Sequence, residues 1–350
     1  MNKLTYRHLA FRVLLFTSVL VSSSLINAGE TKMTELTKNM QIVCVGRFVI
    51  EIPLIANING WDQKVDDTKI EVITPPALNQ SAFDNKVVRR VEHLRNSPQE
   101  NDGFVFKEKS QLTSNSDLLI SYSDAATKYK SGDRLYNLDV LFWQPSLELK
   151  FHGRTTGKFY DEGINKISNL VKSFSPLPTK DINHLPAGLC IESGVMLGNS
   201  SRGEGVAVSG RISEYPGLGF SFSTQTVSVP REDPTMFERI AKSFNLADQT
   251  GNSAKASSKT LRQRKRTLNG QQGEEMIMMF DDHGEISYKA NAEFYAAPKT
   301  LYKPSIKVSL GDQSHDDNTH VKFSKNLTEK EFLALWDALL DGIKLRPGAL

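Results

Sequence analysis

The chain has 350 residues, a length that usually corresponds to about two domains. Its formal net charge is +3 at pH 7, but Lys3, Arg7 and Arg12 lie in the first 28 residues, which contain no acidic residue, so the remaining chain carries 3 − 3 = 0. A neutral chain argues against nucleic acid or an anionic membrane surface as its partner.

The first 28 residues have the pattern of a secretory signal peptide. Three basic residues precede an apolar run over residues 13–26, and Ala28 ends a small-residue cleavage site before Gly29. The apolar run is short for a membrane span, and no second long apolar run follows it. No cysteine lies near Ala28, so lipid attachment is not indicated. We expect an exported protein whose mature chain has no stable membrane insertion.

Residues 29–178 are predicted to form an N-terminal lobe. It opens on residues 42–53, where Phe48, Ile50 and Ile52 alternate with other positions as in a half-buried strand. A helix follows, with apolar residues at helical spacing: Phe83, Val87, Val91 and Leu94. Further strands are predicted at residues 103–108, 118–122, 135–143 and 147–152. A second helix, through residues 164–174, ends the lobe.

Residues 175–179 (Ser-Pro-Leu-Pro-Thr) are predicted to link the lobes, because proline stops a helix and keeps the preceding residue extended. The C-terminal lobe, residues 179–350, repeats the plan of strand, helix, strands and closing helix. Its strands are predicted at residues 189–191, 206–212, 220–229, 260–268, 276–280, 286–295 and 306–310. Its first helix begins with Asp233 as cap and Pro234 as first helical residue. Residues 247–259 are expected to form a mobile loop.

The closing helix carries the clearest signal in the chain. Thr328 and Glu331 have the spacing of a capping box, and Leu327 is placed to pack onto Phe332 as a hydrophobic staple. The apolar residues that follow fall on one helical face: Phe332, Leu335, Trp336, Leu339, Leu340 and Ile343. A matching pattern occurs earlier at a constant offset, as in Ile164 and Leu333 (333 − 164 = 169). The sequence therefore predicts an internal repeat.

Strands that occur in runs, with few helices, favour an α+β fold over a parallel α/β sheet. We predict two similar lobes, each an antiparallel sheet packed with helices and each large enough to bury its own core. Only two cysteines are present, Cys44 and Cys190. In an exported protein they either form a disulfide between the lobes or remain two buried thiols on strands, because sequence alone does not fix their distance.

No catalytic signature occurs in the chain. The Gly-x-Ser-x-Gly elbow, the zinc and dithiol motifs, the P-loop and the dinucleotide fingerprint are all absent from the sequence. The best metal candidate is a group of carboxylates and imidazoles at Asp312, His315, Asp316, Asp317 and His320. A solvated loop is the favoured interpretation of that group, and His93 and His152 are interpreted as ordinary surface or packing residues. We predict that the chain is not an enzyme and has no cofactor.

Two further segments allow two interpretations each. In residues 261–266, alternation places Arg262, Arg264 and Arg266 on one strand face, as a basic prong for an acidic partner or, preferably, as a solvated face that guards a sheet edge. Residues 215–220, Tyr-Pro-Gly-Leu-Gly-Phe, form either a contact surface or, more often in such sequences, a turn into a strand.

Several segments together resemble a known family. They are residues 335–349 (LWDALLDGIKLRPGA), 268–275 (LNGQQGEE), 303–310 (KPSIKVSL) and the opening residues 44–53. They resemble the periplasmic immunity proteins of type VI secretion systems that neutralise phospholipase effectors of the fourth, alpha/beta-hydrolase class. The shared motifs are interpreted as fold determinants: Gly270 and Gly273 permit a tight turn, and Trp336 buries the closing helix.

The resemblance implies a two-domain α+β protein without enzymatic activity. It implies that the protein binds a cognate phospholipase effector in the periplasm and inhibits it sterically, so that the cell is protected from self-intoxication. The family supplies no catalytic motif, and the partner-binding residues are unknown from the sequence. Two other functions are kept as alternatives: a periplasmic adaptor or ligand-binding module without a toxin partner, and a secreted hydrolase with an unrecognised site.

Overall fold

A computed structural model describes most of the chain. The described residues are 35–96, 105–123, 133–177, 182–198, 203–230, 233–249, 258–282, 284–312, 323 and 325–350. The predicted signal peptide, residues 1–28, lies outside them. Within these ranges no helix is both long enough and apolar enough to cross a membrane.

The described part of the chain forms eighteen strands and five α-helices. The strands are β1 Met40–Val45, β2 Phe48–Pro53, β3 Ala56–Val65, β4 Thr68–Val72, β5 Phe106–Thr113, β6 Ser116–Tyr122, β7 Leu135–Gln144, β8 Leu147–Thr156, β9 Phe174–Pro176, β10 Gly188–Ile191, β11 Gly194–Leu197, β12 Glu204–Ile212, β13 Tyr215–Gln225, β14 Ser258–Leu268, β15 Gln271–Asp282, β16 Glu285–Phe294, β17 Ser305–Asp312 and β18 Lys344–Leu345. The helices are α1 Glu35–Lys38, α2 Gln80–Asn96, α3 Tyr160–Lys172, α4 Met236–Gln249 and α5 Glu329–Asp341.

Twelve of the strands form one continuous antiparallel sheet. Its order is β14-β15-β16-β17-β13-β12-β3-β4-β8-β7-β6-β5, so each half of the chain contributes six consecutive strands. The halves meet where β3 pairs with β12, with Trp61 opposite Val208. The predicted α+β class is confirmed, and the sheets of the two halves are joined edge to edge.

The element order of the first half recurs in the second. In each half the inner six-strand block has the same internal order, with β3, β4, β8, β7, β6 and β5 corresponding to β12, β13, β17, β16, β15 and β14. The closing helices α3 and α5 begin and end at the same offset, since 329 − 160 and 341 − 172 both equal 169. The internal repeat predicted from the sequence is therefore present in the topology.

The two halves also exchange their last strands. Strand β9, which ends the first half, pairs with β11 of the second half, and β18, which ends the second half, pairs with β2 of the first. This arrangement corrects the predicted linker, because Ser175 and Pro176 belong to a strand rather than to a free connection. Leu177 adds a further bond to the second half, its N–H donating to the carbonyl of Ser193 at 3.1 Å. The last two residues of the predicted linker, Pro178 and Thr179, lie outside the described residues.

The helices cover the two faces of the large sheet differently. On the inner face α3, α5 and the two small sheets pack over the main core, in which Phe48, Phe151, Phe294 and Trp336 are buried. On the outer face α2 buries Phe83, Val87, Val91 and Leu94 against Leu119 and Leu141. Helix α4 lies on the same outer face, because the N–H of Phe237 donates to Glu274 whereas the neighbouring Glu275 bonds to Trp336 on the inner side.

The ends of α5 follow the sequence signals. Thr328 and Glu331 form the predicted capping box, with Glu331 N–H donating to the Thr328 hydroxyl at 3.3 Å and Thr328 N–H to the Glu331 carboxylate at 2.9 Å. The predicted turn is present at Gly270, since Asn269 and Gly270 both have positive φ (50° and 74°), as a two-residue hairpin of type I′ requires. Gly273, which was predicted to belong to the same turn, lies within β15 instead.

Three local predictions are corrected. Helix α4 begins at Met236, where Thr235 and Glu238 form a reciprocal cap, so Asp233 and Pro234 precede the helix. Of the loop expected over residues 247–259, the first three residues belong to α4 and the last two to β14, and residues 250–257 lie outside the described residues. Residues 215–220 form the beginning of β13, where Leu218 and Phe220 are buried.

Residues 42–53 also differ from the prediction, because they form two strands instead of one. Gly46 stands between β1 and β2 with φ +63°, a conformation that glycine adopts without a steric cost.

Candidate partner-binding face

The metal candidate from the sequence is only partly described. Asp312 is buried at the end of β17, where its Oδ2 accepts the N–H of Leu327 at 2.8 Å, just before α5. Its other oxygen has no hydrogen-bond partner among the described residues. Burial raises the pKa of Asp312 to about 6. His315, Asp316, Asp317 and His320 lie outside the described residues, and elsewhere in the described ranges no group of three or more such side chains could hold a metal ion.

The basic run stabilises the fold. Arg262, Arg264 and Arg266 project from the edge strand β14 onto the inner face, where all three donate to Glu275 at 3.0–3.1 Å. Arg262 also donates to Asp337 on α5 at 2.6 and 3.1 Å. Burial opposes ionisation of Glu275, but the hydrogen bonds from the three arginines outweigh it and lower its pKa. The run thus fastens α5 to the sheet, a role that differs from both interpretations made from the sequence.

Two buried arginines lie where the halves meet, and the N–H of Arg346 donates to the carbonyl of Arg47 at 2.9 Å. Arg47, in the turn after β1, makes a bidentate ion pair with Glu204 of β12, with N···O distances of 2.7 and 2.6 Å. Arg346, after β18, donates to the carbonyls of Leu185, Pro186 and Gly188 at 3.2, 2.9 and 3.0 Å. Both arginines belong to segments that carried the family resemblance, and their contacts are internal. Those motifs therefore specify how the halves assemble.

The two cysteines form a disulfide between the halves. Cys44 of β1 and Cys190 of β10 are bonded to each other, with their Cα atoms 5.8 Å apart and 146 positions apart in the chain. Gly46 and Cys190 also form an antiparallel bridge, with N–H···O distances of 2.9 and 2.7 Å in the two directions. The two small sheets are therefore tied both covalently and by backbone hydrogen bonds.

The outer face of the large sheet holds an open concavity. It lies between α2 and α4, spans the six strands from β8 to β17, and has a volume of about 710 Å³. We name it the central crevice. Its floor consists of short side chains, among them Gly205, Ala207 and Ser223, and its walls carry longer charged ones. Because the floor residues are short, a partner's main chain can come close to the sheet.

Cations outnumber anions in the central crevice. Lys64, Lys69, Arg154 and Lys307 line it, against two carboxylates, Asp62 and Asp67, which leaves a formal charge of 4 − 2 = +2 with His152 neutral. Lys64 pairs with Asp67 at 2.9 Å, and this contact lowers the pKa of Asp67. Arg154 is exposed and has no ion pair within the described residues.

A related charge arrangement occurs beside each end of the crevice. On β7, Asp139 is surrounded by His152 at 2.6 Å, Lys150 at 3.5 Å and Arg90 of α2 at 3.7 Å. On the equivalent strand β16, Glu293 contacts Arg239 of α4 at 2.5 Å and Lys307 at 3.7 Å.

Burial opposes ionisation of Asp139, but the hydrogen bond with His152 and the charges of Lys150 and Arg90 outweigh it and lower its pKa. In both places one carboxylate is shared by two or more basic side chains.

The two outer helices are packed unequally. Four apolar residues of α2 are buried, whereas in α4 only Met236 is buried among the residues with described side chains. A gap of about 320 Å³ remains under α4, lined by Phe237, Ile240 and Phe244 on the helix and by Met276 and Met278 on β15. The outer face thus has one firmly seated helix and one loosely seated helix on either side of the crevice.

Sequence reasoning did not identify the outer face. Its residues carry no motif, and His152 was interpreted as an ordinary residue. The available signal was the alternation in β8 and β17, where Arg154 follows the buried Gly153 and Lys307 follows the buried Ile306. Alternation indicates that these side chains point away from the core, but only the topology places them in one crevice.

Comparison with known proteins defines the class to which this architecture belongs. Residues 41–132 match the model of the N-terminal domain of Tle cognate immunity protein 4, and residues 185–348 match the model of its C-terminal domain. No curated protein matches the chain. The protein is therefore an immunity protein, and the predicted absence of enzymatic activity agrees with that class.

Solved structures share the fold. A chain of a Tle4–Tli4 complex has a TM-score of 0.73 and 24% identity, covering 89% of this chain and 99% of that one. The apo immunity protein TplEi of the T6SS from Pseudomonas aeruginosa has a TM-score of 0.72 and 24% identity, covering 91% and 99%. TplEi complexed with a peptide named "L" has a TM-score of 0.67, 24% identity and coverage of 89% and 99%. With the two domain matches, the chain belongs to the Tle cognate immunity protein 4 family, which confirms the resemblance found in the sequence.

Proposed function

We propose that this protein is a periplasmic immunity protein that binds a cognate type VI secretion phospholipase effector and inhibits it sterically. The observation that carries the proposal is the match of both family domains, which together span most of the chain from residue 41 to residue 348. Binding of this kind protects the producing cell from self-intoxication by its own lipase. The protein contributes a surface and no chemistry.

The outer face is the surface proposed for that binding. It combines the central crevice with exposed apolar side chains on the loops that lead into the outer helices, Leu78 before α2 and Val229 before α4. Leu78 is 94% exposed, and Val229 is 65% exposed. Specific interfaces bury roughly 1,600 Å² and combine apolar anchors with polar and charged contacts.

The architecture behind this face favours tight binding. The continuous sheet, the exchanged strands and the Cys44–Cys190 bond fix the two halves relative to each other. A surface that is already ordered loses little conformational entropy on association, so more of the contact energy appears as affinity. Steric inhibition of a toxic enzyme present at low concentration requires such affinity.

The location and the domain limits are part of the proposal. Export to the periplasm is supported by the signal pattern of residues 1–28 and by the use of both cysteines in a disulfide, which oxidising compartments permit. A lobe at residues 29–178 and a second at residues 179–350 are supported by the repeated element order. Because β9 and β18 cross between the halves, each lobe is completed by the other's last strand.

A titration tests the proposed function. The cognate phospholipase effector is assayed on phospholipid vesicles with increasing amounts of the purified mature chain. The expected result is loss of activity near one-to-one stoichiometry, with a complex that co-elutes in gel filtration. Unchanged lipase activity without a complex would contradict the proposal and favour the adaptor or ligand-binding alternative. Lipid hydrolysis by this chain alone would favour the hydrolase alternative.

A further inference from the structure

We propose that the central crevice recognises an acidic stretch of its protein partner, with carboxylates placed against both walls. This inference rests on the proposed function and names the chemistry of the partner surface that enters the crevice. It is carried by the shape of the floor, by the excess of basic side chains, and by their position on equivalent strands of the two repeats.

The floor sets how close the partner approaches. Gly205 and Ala207 on β12 and Ser223 on β13 present at most one heavy side-chain atom beyond Cβ to the outer face. Longer side chains, such as Lys64 and Lys69, stand beside them and are about half exposed (50% and 52%). An extended segment laid on this floor therefore meets basic groups at its sides.

The charge balance selects an acidic segment. The lining carries two more cations than anions, and Asp67 is already paired with Lys64. Lys69 pairs with Glu71 at 2.7 Å, and Lys307 has Glu293 only at 3.7 Å while remaining 59% exposed. Arg154 adds a guanidinium that has no carboxylate partner within the described ranges. Its planar fork suits bidentate binding of a carboxylate.

The distance between the two walls sets the spacing of the carboxylates on the partner. Arg154 lies on β8 and Lys307 on β17, which are equivalent strands of the repeats, and four strands separate them. Five inter-strand steps of about 4.8 Å place the walls roughly 24 Å apart. An extended segment of about seven residues covers that distance at about 3.3 Å per residue. A partner that satisfies both walls presents carboxylates separated by about that span.

The mixed charges favour carboxylates of a protein over a polyanion. Asp62 and Asp67 stand among the cations, so the regularly spaced phosphates of a nucleic acid would meet like charges in the crevice. A protein segment can place its few carboxylates at the walls and leave neutral residues near Asp62. Anionic vesicles and nucleic acid serve as competing ligands in the test.

A charge-reversal experiment tests the proposal in the full mature chain. The double variant R154E/K307E changes both walls, and the matched control K172E/K330E makes the same change in net charge at exposed positions of α3 and α5. Affinity for the cognate lipase is measured by titration calorimetry at low and high salt. We expect R154E/K307E to bind roughly 10- to 100-fold more weakly and to lose most of the salt dependence, and the control to bind as the unmodified chain does.

The milder variant R154Q/K307Q removes both positive charges without adding negative ones, so it guards against a loss of binding that is caused by misfolding. Its affinity for the lipase is expected to lie between those of the unmodified chain and R154E/K307E. In the unmodified complex, carbodiimide cross-linking should join Lys64, Lys69 or Lys307 to acidic residues of the lipase. Affinity of R154E/K307E within threefold of the unmodified chain, or cross-links that map only outside the crevice, would overturn the inference. The inference would also be overturned if R154E/K307E lost binding to anionic vesicles or nucleic acid but still bound the lipase as the unmodified chain does.

Failure of this inference is distinguishable from failure of the proposed function. If the unmodified chain inhibits the lipase and R154E/K307E inhibits it equally well, only the acidic-segment inference is wrong. If the unmodified chain neither binds nor inhibits the lipase, the proposed function itself is wrong.

Discussion

Cys44 and Cys190 occupy equivalent positions, in the first strand of each repeat, and their bond closes a loop of 146 positions across the junction of the two halves. The bond ties together two small sheets that also exchange strands β9 and β18. The junction is thus held by a covalent bond, by backbone pairing and by the buried Arg47–Glu204 pair. Each of these contributions leads to a separate expectation for stability.

Removal of the disulfide should destabilise the protein without unfolding the repeats. We expect the variant C44S/C190S to lose about 2–5 kcal/mol of unfolding free energy, because closing so long a loop restricts the unfolded chain. Guanidinium denaturation of both proteins measures the difference. Alkylation of the unmodified chain without reductant should find no free thiol, and two alkylated cysteines would contradict the bonded pair.

Replacement of Glu204 should expose the cost of an unpaired buried charge. The variant E204Q removes the anion that faces Arg47 at 2.6–2.7 Å in a buried site. We expect a loss of about 3–5 kcal/mol, because the guanidinium keeps its charge and loses its counterion. The exposed Glu214, which contacts Lys325 at 3.0 Å, provides the control E214Q, for which a change below about 1 kcal/mol is expected. Equal effects of the two variants in denaturant melts would argue against a structural ion pair at the junction.

A methyl group added at Gly194 of β11 should destabilise the packing of the exchanged strand β9 against it. A Cβ atom added at Gly194 would lie 2.1 Å from the ring of Phe174 and 2.8 Å from the carbonyl of Ser175. We expect G194A to cost about 1–3 kcal/mol by overpacking this contact. In the control G311A the added Cβ meets only the Tyr288 carbonyl at 4.0 Å, an ordinary distance, so little change is expected. If residues 174–176 were a free linker, thermal melts of the two variants would coincide.

The buried Asp312 should make stability depend on pH. Its pKa of about 6 lies above its ordinary value of 3.8, so the folded state binds the proton more tightly than the unfolded state. This stabilising contribution is complete below about pH 4 and is lost as the pH rises through about 6. The variant D312N keeps an oxygen that accepts the Leu327 N–H and carries no charge, so it should be more stable than the unmodified protein by about 1–3 kcal/mol at pH 7.5.

Denaturant titrations of both proteins at pH 4, 5, 6 and 7.5 check this expectation. Other carboxylates titrate in both proteins, so the difference between the two isolates Asp312. The difference should be smallest at pH 4 and should grow up to about pH 7. A difference that stays constant across this range would contradict the assignment.

The parts of the fold that were predicted from the sequence are those specified by local patterns. Helix α5 was predicted from the Thr328–Glu331 box and the apolar face through Trp336, since capping and helical spacing act within a few residues. The start of α4 was placed two residues early because Asp233 and Pro234 imitate a cap. The cap formed by Thr235 and Glu238 has the same spacing as the box of α5 and could have been chosen instead.

The parts that were not predicted depend on distant partners. Strand β3 was not predicted, because Asn57, Asn59, Gly60 and Asp62 make its sequence polar. It is nevertheless central to the large sheet and forms part of the crevice. Pairing of β9 with β11 and of β18 with β2 is set by long-range packing, which leaves no local pattern in such short strands. For the outer face, alternation indicated which side chains are exposed, but only the topology brings Arg154 and Lys307 to opposite walls.

The reciprocal exchange of β9 and β18 also bears on how the gene arose. The last strand of each repeat completes the other repeat, and equivalent cysteines bond to each other. These reciprocal contacts are the ones that two subunits related by a twofold axis would make. A half-length ancestor with this arrangement would be a domain-swapped homodimer. Duplication and fusion of its gene would turn two identical subunits into one chain, in which α2 and α4 were then free to diverge into the firmly and loosely packed helices seen on either side of the crevice.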